Sequence, residues 1–429
     1  MRSARDRIGD GIEPEARPTC ETQHVRQRTL PLVSSPSDIL ERIAGVLLSD
    51  FPDCERFADD VARDLSVSRE SAYDIVRQVV SGVNSRLFPA ITHLELVHTE
   101  GCNLACSYCF EKDMRGDRRM PSNITRKAID LLIAYSRDAD TLWITHFGGE
   151  PLLNFENIRF ATEYAEERAS ALGKTVAFDI TTNGTLLTEK SVEYFSRHGF
   201  KVLLSIDGLE STHDKYRVDR GGRGTFGRVM TRLALLKTRQ QWIGVKMTVM
   251  PTNVPRLFED VTGLYRRGVN QFLIGHATGI SWSPTEIKSY RDELERVYLW
   301  YRENKGPELR IAEFDHPQEK TGFFGCQAGR NSIAVSVTGE ISSCSKILAL
   351  GNTNLVAKLG DVEFGITYIK NRSELLDSSA LRRACEARGI ASEYQGGCFA
   401  SNYAAHGDLF TPNVQDHEFS VIERLLCRD

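Results

Sequence analysis

From Ile91 to about residue 305 the chain repeats one unit, an apolar run rich in β-branched residues followed by an amphipathic stretch of helical period. The runs read ITHLELVHT (91–99), TLWITHF (141–147), TVAFDITT (175–182), KVLLSID (201–207), WIGVKMTVM (242–250) and NQFLIGHAT (270–278). Amphipathic segments lie between them near 123–136, 155–171, 188–198, 226–237 and 254–267, with another after Pro284. A strand that pairs in parallel with its predecessor needs a crossover of about a dozen residues or more, usually a helix. Six such units in a row predict an α/β fold, a parallel sheet covered by helices. The period fits an open, partial (β/α)6 barrel and a doubly wound sheet equally well.

The flanks have a different rhythm. Residues 1–36 are rich in Arg, Glu, Pro and Ser without a sustained period, and read as a flexible tail. Residues 37–90 form a small helical module. In it Asp53 caps one helix, carrying Phe57, Val61 and Leu65, and Ser68 caps another, carrying Ala72, Ile75, Val76, Val79, Val80 and Val83. After about residue 305 the alternation stops, and residues 306–429 read as loop-rich. With 54 Lys and Arg against 58 Asp and Glu, the net charge of −4 gives no basic face for nucleic acid. No apolar run approaches the roughly 20 residues of a membrane span, and the N-terminal sequence has no signal-peptide core, so a cytoplasmic enzyme is expected.

Ten cysteines in such a chain call for a purpose other than a disulfide framework. Cys102, Cys106 and Cys109 fall in GCNLACSYCFE, directly after the first strand, while Cys326, Cys344, Cys385, Cys398 and Cys427 gather near the C-terminus. Two thiol-rich zones suggest two metal centres. Three thiolates on one loop can hold three irons of a [4Fe–4S] cluster and leave the fourth open; a zinc site is the alternative, although zinc favours paired C-x2-C spacing and a closed shell.

C-x3-C-x2-C after the first strand of a βα repeat resembles the radical S-adenosylmethionine (SAM) superfamily, over about residues 91–305. The resemblance implies a partial (β/α)6 barrel with Cys102, Cys106 and Cys109 holding a [4Fe–4S] cluster at its mouth, SAM on the open iron, and a 5′-deoxyadenosyl radical as the reactive species. FGGEPLL, with Gly148, Gly149 and Glu150, resembles the family's SAM-amino motif, its glycines letting backbone approach the ligand. By the same resemblance Tyr108 packs near adenine, Asn183 of TTNGTLL and Ser205 and Asp207 of SIDG lie beside SAM, Arg217 pairs with the SAM carboxylate, and Ile274 and Gly275 border adenine. Without the resemblance, Ser205 and Asp207 are helix caps, Arg217 a surface charge, and His146 and His276, near strand ends, either face the site or are hydrogen-bonded core residues.

CQAGRNSIAVSVTGEISSC (326–344) resembles the opening of a SPASM domain, the auxiliary-cluster extension of many peptide-modifying radical SAM enzymes. A hairpin NSIAVSV–TGE–ISSC would bring Cys326 and Cys344 to one side. The family's downstream cysteines are depleted here: Tyr394 and Arg388 stand at two of those positions. One auxiliary [4Fe–4S] cluster is implied, held by Cys326, Cys344 and Cys398, with Cys385 as fourth ligand or with an open iron; zinc is the alternative. The helical module is either leader-binding or a packing element. GGRGTFG (221–227) lacks the Lys-Ser or Lys-Thr of a phosphate loop. The function so implied is modification of a ribosomal precursor peptide or protein, with a flavodoxin- or ferredoxin-type electron donor. A sulfatase-type formylglycine maturase and a small-molecule dehydrogenase with one auxiliary cluster are the alternatives.

Overall fold

The computed structural model describes residues 36–112, 116–315, 326–350, 357–390 and 397–426; the tail at 1–35, Tyr394 and Cys427 lie outside them. Strands β1 (His93–Val97), β2 (Thr141–Phe147), β3 (Thr175–Thr182), β4 (Lys201–Ser205), β5 (Gly244–Val249), β6 (Gln271–His276) and β7 (Arg310–Ile311) pair side by side in chain order, every pair parallel. A doubly wound sheet reverses its strand order at a switch point. This order never reverses over β1–β7, so the sheet winds one way, as an open barrel does.

The helices α1 (Pro36–Leu47), α2 (Cys54–Leu65) and α3 (Arg69–Leu87) precede the sheet. The crossovers are α4 (Ser122–Tyr135), α5 (Phe155–Ser170), α6 (Glu189–Arg197), a short α7 (Glu210–His213) with α8 (Phe226–Lys237), α9 (Leu257–Tyr265) and α10 (Pro284–Asn304). Local signals set their starts: Thr188 and Ser191 form a reciprocal capping box for α6, as do Ser283 and Glu286 for α10, with Pro284 in its first turn. Strand residues alternate. Leu94, Leu96, Ile144, Ile180, Leu204, Val245 and Ile274 are buried in the main apolar core, while Glu95, Thr145, Asp179, Ser205 and Lys246 take the partly open positions between them.

The C-terminal part is more regular than its sequence suggests. Strands β8 (Ser332–Val335), β9 (Glu340–Ser342), β10 (Lys358–Asp361) and β11 (Gly365–Ile366) extend the same sheet, giving the order β11-β10-β9-β8-β1. β8 pairs in parallel with β1, Glu95 opposite Ala334, and the expected β8–β9 hairpin forms with Ala334 opposite Ser342. Helices span Ile369–Leu376, Ser378–Ala387, Phe399–His406 and Val414–Leu426. Strands of two to four residues are too short to show a period of two, which is why the sequence reads here as loop.

Asp53 and Ser68 cap α2 and α3, accepting from the backbone N–H of Arg56 and Ser71. The three N-terminal helices build a second apolar cluster that takes in Phe364 and Ile369. Arg372, fully buried, fastens this junction. Its guanidinium donates to the carbonyls of Gly329, Arg330 and Pro89 and to Asn84 Oδ1, at 2.9–3.1 Å, and lies over the Phe88 ring. Removing it strands those acceptors in a dry interface. Arg372→Met is expected to cost about 3 kcal/mol in urea unfolding, and to speed proteolysis within α1–α3.

Candidate active site

The cysteine loop leaves β1 at its C-terminal end, where barrel active sites are built. It is clamped from two sides. The end of β2 holds its start, the N–H groups of Gly149 and Glu150 donating to the carbonyls of Thr99 and Gly101 at 2.9 and 2.8 Å. The segment after α7 holds its middle: Ala105 N–H donates to Val218 O at 2.8 Å, and Arg220 Nε to Cys102 O at 3.0 Å.

The glycine pair stands where a side chain would meet the cysteine loop itself. A Cβ on Gly148, at φ +124°, would lie 2.5 Å from Thr99 O, and one on Gly149 would overlap Gly101 O. Cysteine-loop backbone fills the space these glycines leave open. Glu150 is also committed inward. Its fully buried carboxyl accepts from Thr182 Oγ1, Asn183 N–H and Leu152 N–H at 2.7–3.1 Å, tying the ends of β2 and β3 together, and burial pushes its pKa up to about 7. Asn183 in turn accepts from Thr185, donates to Asn103 Oδ1 at 2.9 Å and points an N–H at Cys102 Sγ, 4.0 Å away.

Arg217 is neither a surface charge nor an open carboxylate partner. It makes a bidentate pair with Asp207 at 2.9 and 3.0 Å, both side chains buried. Asp207 also accepts from Thr248 N–H at 2.9 Å and from the Tyr108 hydroxyl, and the Tyr108 ring lies under the guanidinium at 5.4 Å. Asp207 therefore caps no helix. The aromatic of the cysteine loop is instead tied to β4, β5 and the α7 exit. Ser205 pairs with Lys246 on β5 through its backbone, and its hydroxyl makes no hydrogen bond among the described residues. Gly275 is the one predicted glycine with room beside it, since a Cβ there would meet only Met247 O, at 3.9 Å. Ile274 is buried, its N–H bonded to Glu313.

The second thiol zone assembles in part. The charge interactions of Cys326, Cys344 and Cys398 link the three to one another. Burial pushes the Cys344 thiol up to about 12 and raises Cys326, while the backbone N–H groups of Ala328 and Phe399 at Cys326, and of Ile347 at Cys344, pull the other way. Cys385 does not join them. It is buried in the apolar core on the helix Ser378–Ala387, and the charges acting on it are those of Arg388 and Glu386. Its spacing fits the motif, but that helix turns the side chain into the core.

Among the described residues no three His, Cys, Asp or Glu side chains stand close enough to hold a metal ion as they are. The donor chemistry of both zones nonetheless fits iron. Each has three thiols, and N–H groups already aimed at sulfur favour the thiolate form that burial alone opposes.

Between the zones lies a row of charged and polar side chains on the inner strand face that the sequence analysis passed over. Glu95 on β1 accepts from Ser345 N–H at 2.8 Å, next to Cys344. Asp179 on β3 accepts from Thr145 at 3.0 Å, its pKa raised by burial to about 6. The Lys246 side chain on β5 has no hydrogen bond or ion pair among the described residues; burial, then Lys346 and Arg217, lower its pKa to about 8. The signal was present, a single charge inside each of HLELV, TVAFDITT and GVKMTV, where a parallel strand is otherwise apolar. The two histidines lie elsewhere. His146 is fully buried against Phe178 and Phe200 and bonded to His98 at 2.7 Å, so it does not face the site. His276 meets Asp416 at 3.2 Å and stacks on Phe419.

A model of the radical SAM superfamily matches residues 96–263. The serine-type anaerobic sulfatase-maturating enzyme of Klebsiella aerogenes is 32% identical over 329 residues, 71% of this chain and 78% of that one. The chain belongs to the radical SAM superfamily. It is also 25% identical to the antilisterial bacteriocin subtilosin biosynthesis protein AlbA of Bacillus subtilis, over 64% of this chain and 60% of that one. Coverage of the curated relatives varies. The chain spans 48% of the cysteine-type anaerobic sulfatase-maturating enzyme of Clostridium novyi, to which it is 28% identical over 41% of its own length. The structure of anSMEcpe with bound AdoMet shares the fold, with a TM-score of 0.61 and 17% identity over 79% of this chain and all of that one. So does Streptococcus suis SuiB bound to precursor peptide SuiA, with a TM-score of 0.51 and 15% identity over 78% of this chain and 77% of that one. Radical SAM proteins use a [4Fe–4S] cluster and SAM, and the cysteine loop of this one is the match to that requirement.

Proposed function

We propose that this radical SAM protein cleaves SAM reductively and modifies a residue of a ribosomally made peptide or protein, forming a thioether or carbon–carbon crosslink or oxidising a side chain. The observation that carries it is the polar row of Glu95, Asp179 and Lys246 beside the cysteine zones, in which the Lys246 side chain, without a partner among the described residues, would meet a substrate carbonyl or carboxylate. A cluster and SAM held there would supply radical hydrogen-abstraction chemistry. Cys102, Cys106 and Cys109 would hold the cluster. Gly149 and Glu150 fix their loop, Asp207 and Arg217 hold Tyr108 against the SAM side, and Gly275 leaves room there. Cys326, Cys344 and Cys398 would hold an auxiliary cluster, and an acidic flavodoxin- or ferredoxin-type protein would supply electrons. No helix among the described residues is long and apolar enough to cross a membrane; a cytoplasmic setting suits this chemistry.

Similarity to AlbA and to SuiB in its SuiA complex supports a precursor peptide. The Klebsiella aerogenes relative favours a second reading, oxidation of a Cys or Ser to formylglycine. Anaerobic turnover with SAM, dithionite and two kinds of peptide separates them: any short peptide found encoded beside the gene, and the Cp18Cys peptide held by anSMEcpe. Loss of two hydrogens from the first with formation of 5′-deoxyadenosine is the expected result. Conversion of only the Cp18Cys cysteine to an aldehyde would replace the first reading with the second.

A further inference from the structure

We propose that the shallow cavity beside Cys102 is the docking surface for an acidic one-electron carrier protein of the flavodoxin type; the inference rests on the radical SAM reading above. The cavity measures about 450 Å³ and opens to solvent, with Gly101, Cys102, Asn103, Asp117, Arg119 and Arg220 in its wall. A ligand of the cluster thus lines a surface depression. Arg119 and Arg220 are exposed, and neither has a carboxylate partner among the described residues. Arg220 also touches the cysteine loop directly, through Cys102 O at 3.0 Å.

The cavity's surroundings add to the positive charge. Arg223 and Arg228 share a single carboxylate, that of Asp219, at 3.1 and 2.9 Å. Arg118 is cancelled by Glu100, to which it donates through Nε and Nη2. Asp117 is the one acidic residue in the wall. The whole chain carries −4, so this cationic face is a local exception and would orient an acidic partner toward the cysteine loop. Every cation here is exposed, so no closed site for a small anion exists; a broad acidic protein surface fits better. Docked there, a flavodoxin hydroquinone, anionic at neutral pH, would give one electron to the cluster and keep its N5 proton, leaving the neutral semiquinone.

Reconstituted full-length protein, Arg119→Glu and the opposite change Asp117→Arg would be compared in three measurements. These are the Kd for flavodoxin at low and high salt, the rate at which flavodoxin reduced by NADPH and its reductase bleaches the cluster absorbance, and 5′-deoxyadenosine formation with dithionite. Arg119→Glu is expected to weaken binding and slow flavodoxin-driven reduction about tenfold, and Asp117→Arg to strengthen both, with the differences collapsing above about 0.5 M salt. Dithionite-driven cleavage should match wild type in both. Wild-type affinity and reduction rate in Arg119→Glu, or weaker binding in Asp117→Arg, would overturn the docking surface. Absence of dithionite-driven cleavage in the wild type would overturn the proposed function instead, with the binding comparison still deciding the docking surface.

Discussion

Replacing Cys102, Cys106 and Cys109 together by Ala is expected to abolish 5′-deoxyadenosine formation from SAM and dithionite, and to lower iron in anaerobically reconstituted protein from about eight atoms per chain to about four. The loop should survive the change, because its shorter fixings are to backbone carbonyls and only the weak contacts of Leu104 and Asn183 N–H groups to Cys102 Sγ are lost. Its backbone is bonded to the end of β2 and to Val218 and Arg220, and those bonds remain. Thermal unfolding of the metal-free variant should therefore match metal-free wild type, which separates lost ligation from lost structure. The iron that remains would belong to Cys326, Cys344 and Cys398. Adding Cys385→Ala should leave that remainder unchanged, since Cys385 sits in the apolar core. A fall in iron on that addition would restore Cys385 as a ligand. Four atoms in the wild type and none in the triple variant would leave the second zone to zinc or to no metal.

Asp207→Ala is expected to be the most damaging single change near the site. Four donors converge on this fully buried carboxylate: Arg217 Nε and Nη2, Thr248 N–H and the Tyr108 hydroxyl. Its loss leaves the Arg217 guanidinium buried without its counter-charge, at a cost of about 3–5 kcal/mol. Urea unfolding should show that loss. Asp207→Asn, which keeps the shape and one acceptor, should recover part of it. Because Tyr108 belongs to the cysteine loop, both variants should also weaken SAM binding, measured by equilibrium dialysis on reconstituted protein. A stable Asp207→Ala protein with wild-type SAM affinity would show that the Asp207–Arg217 pair is dispensable.

The parallel core was legible because its strands are long and β-branched: Thr141–Phe147 and Thr175–Thr182 have the bounds their sequences suggest. What period could not decide, barrel or doubly wound sheet, was settled by strand order, a property of pairing and not of composition. The cysteine loop was legible from its place after the first strand and from its resemblance to the radical SAM motif. The glycines after β2 were legible as a close approach, but sequence does not say what approaches, and it is the chain's own backbone. Motif spacing counts residues along the chain, whereas helix phase decides where a side chain points, and the helix Ser378–Ala387 points Cys385 into the apolar core. Lys246 went unnoticed because one charge in a strand looks like an edge or surface position until its neighbours on both sides are known.

The pairing of β8 with β1 has a consequence for how such a protein can be taken apart. Cys102 follows β1, and Cys344 lies just beyond the hairpin partner of β8, with Ser345 bonded to Glu95 of β1 itself. The two thiol zones are thus mounted on slats of one shutter, with no joint between them, and the gap between them is set by sheet geometry. Cutting the chain after residue 305 would not release a tidy module. It would bare the edge of β1, an unpaired strand open to self-association.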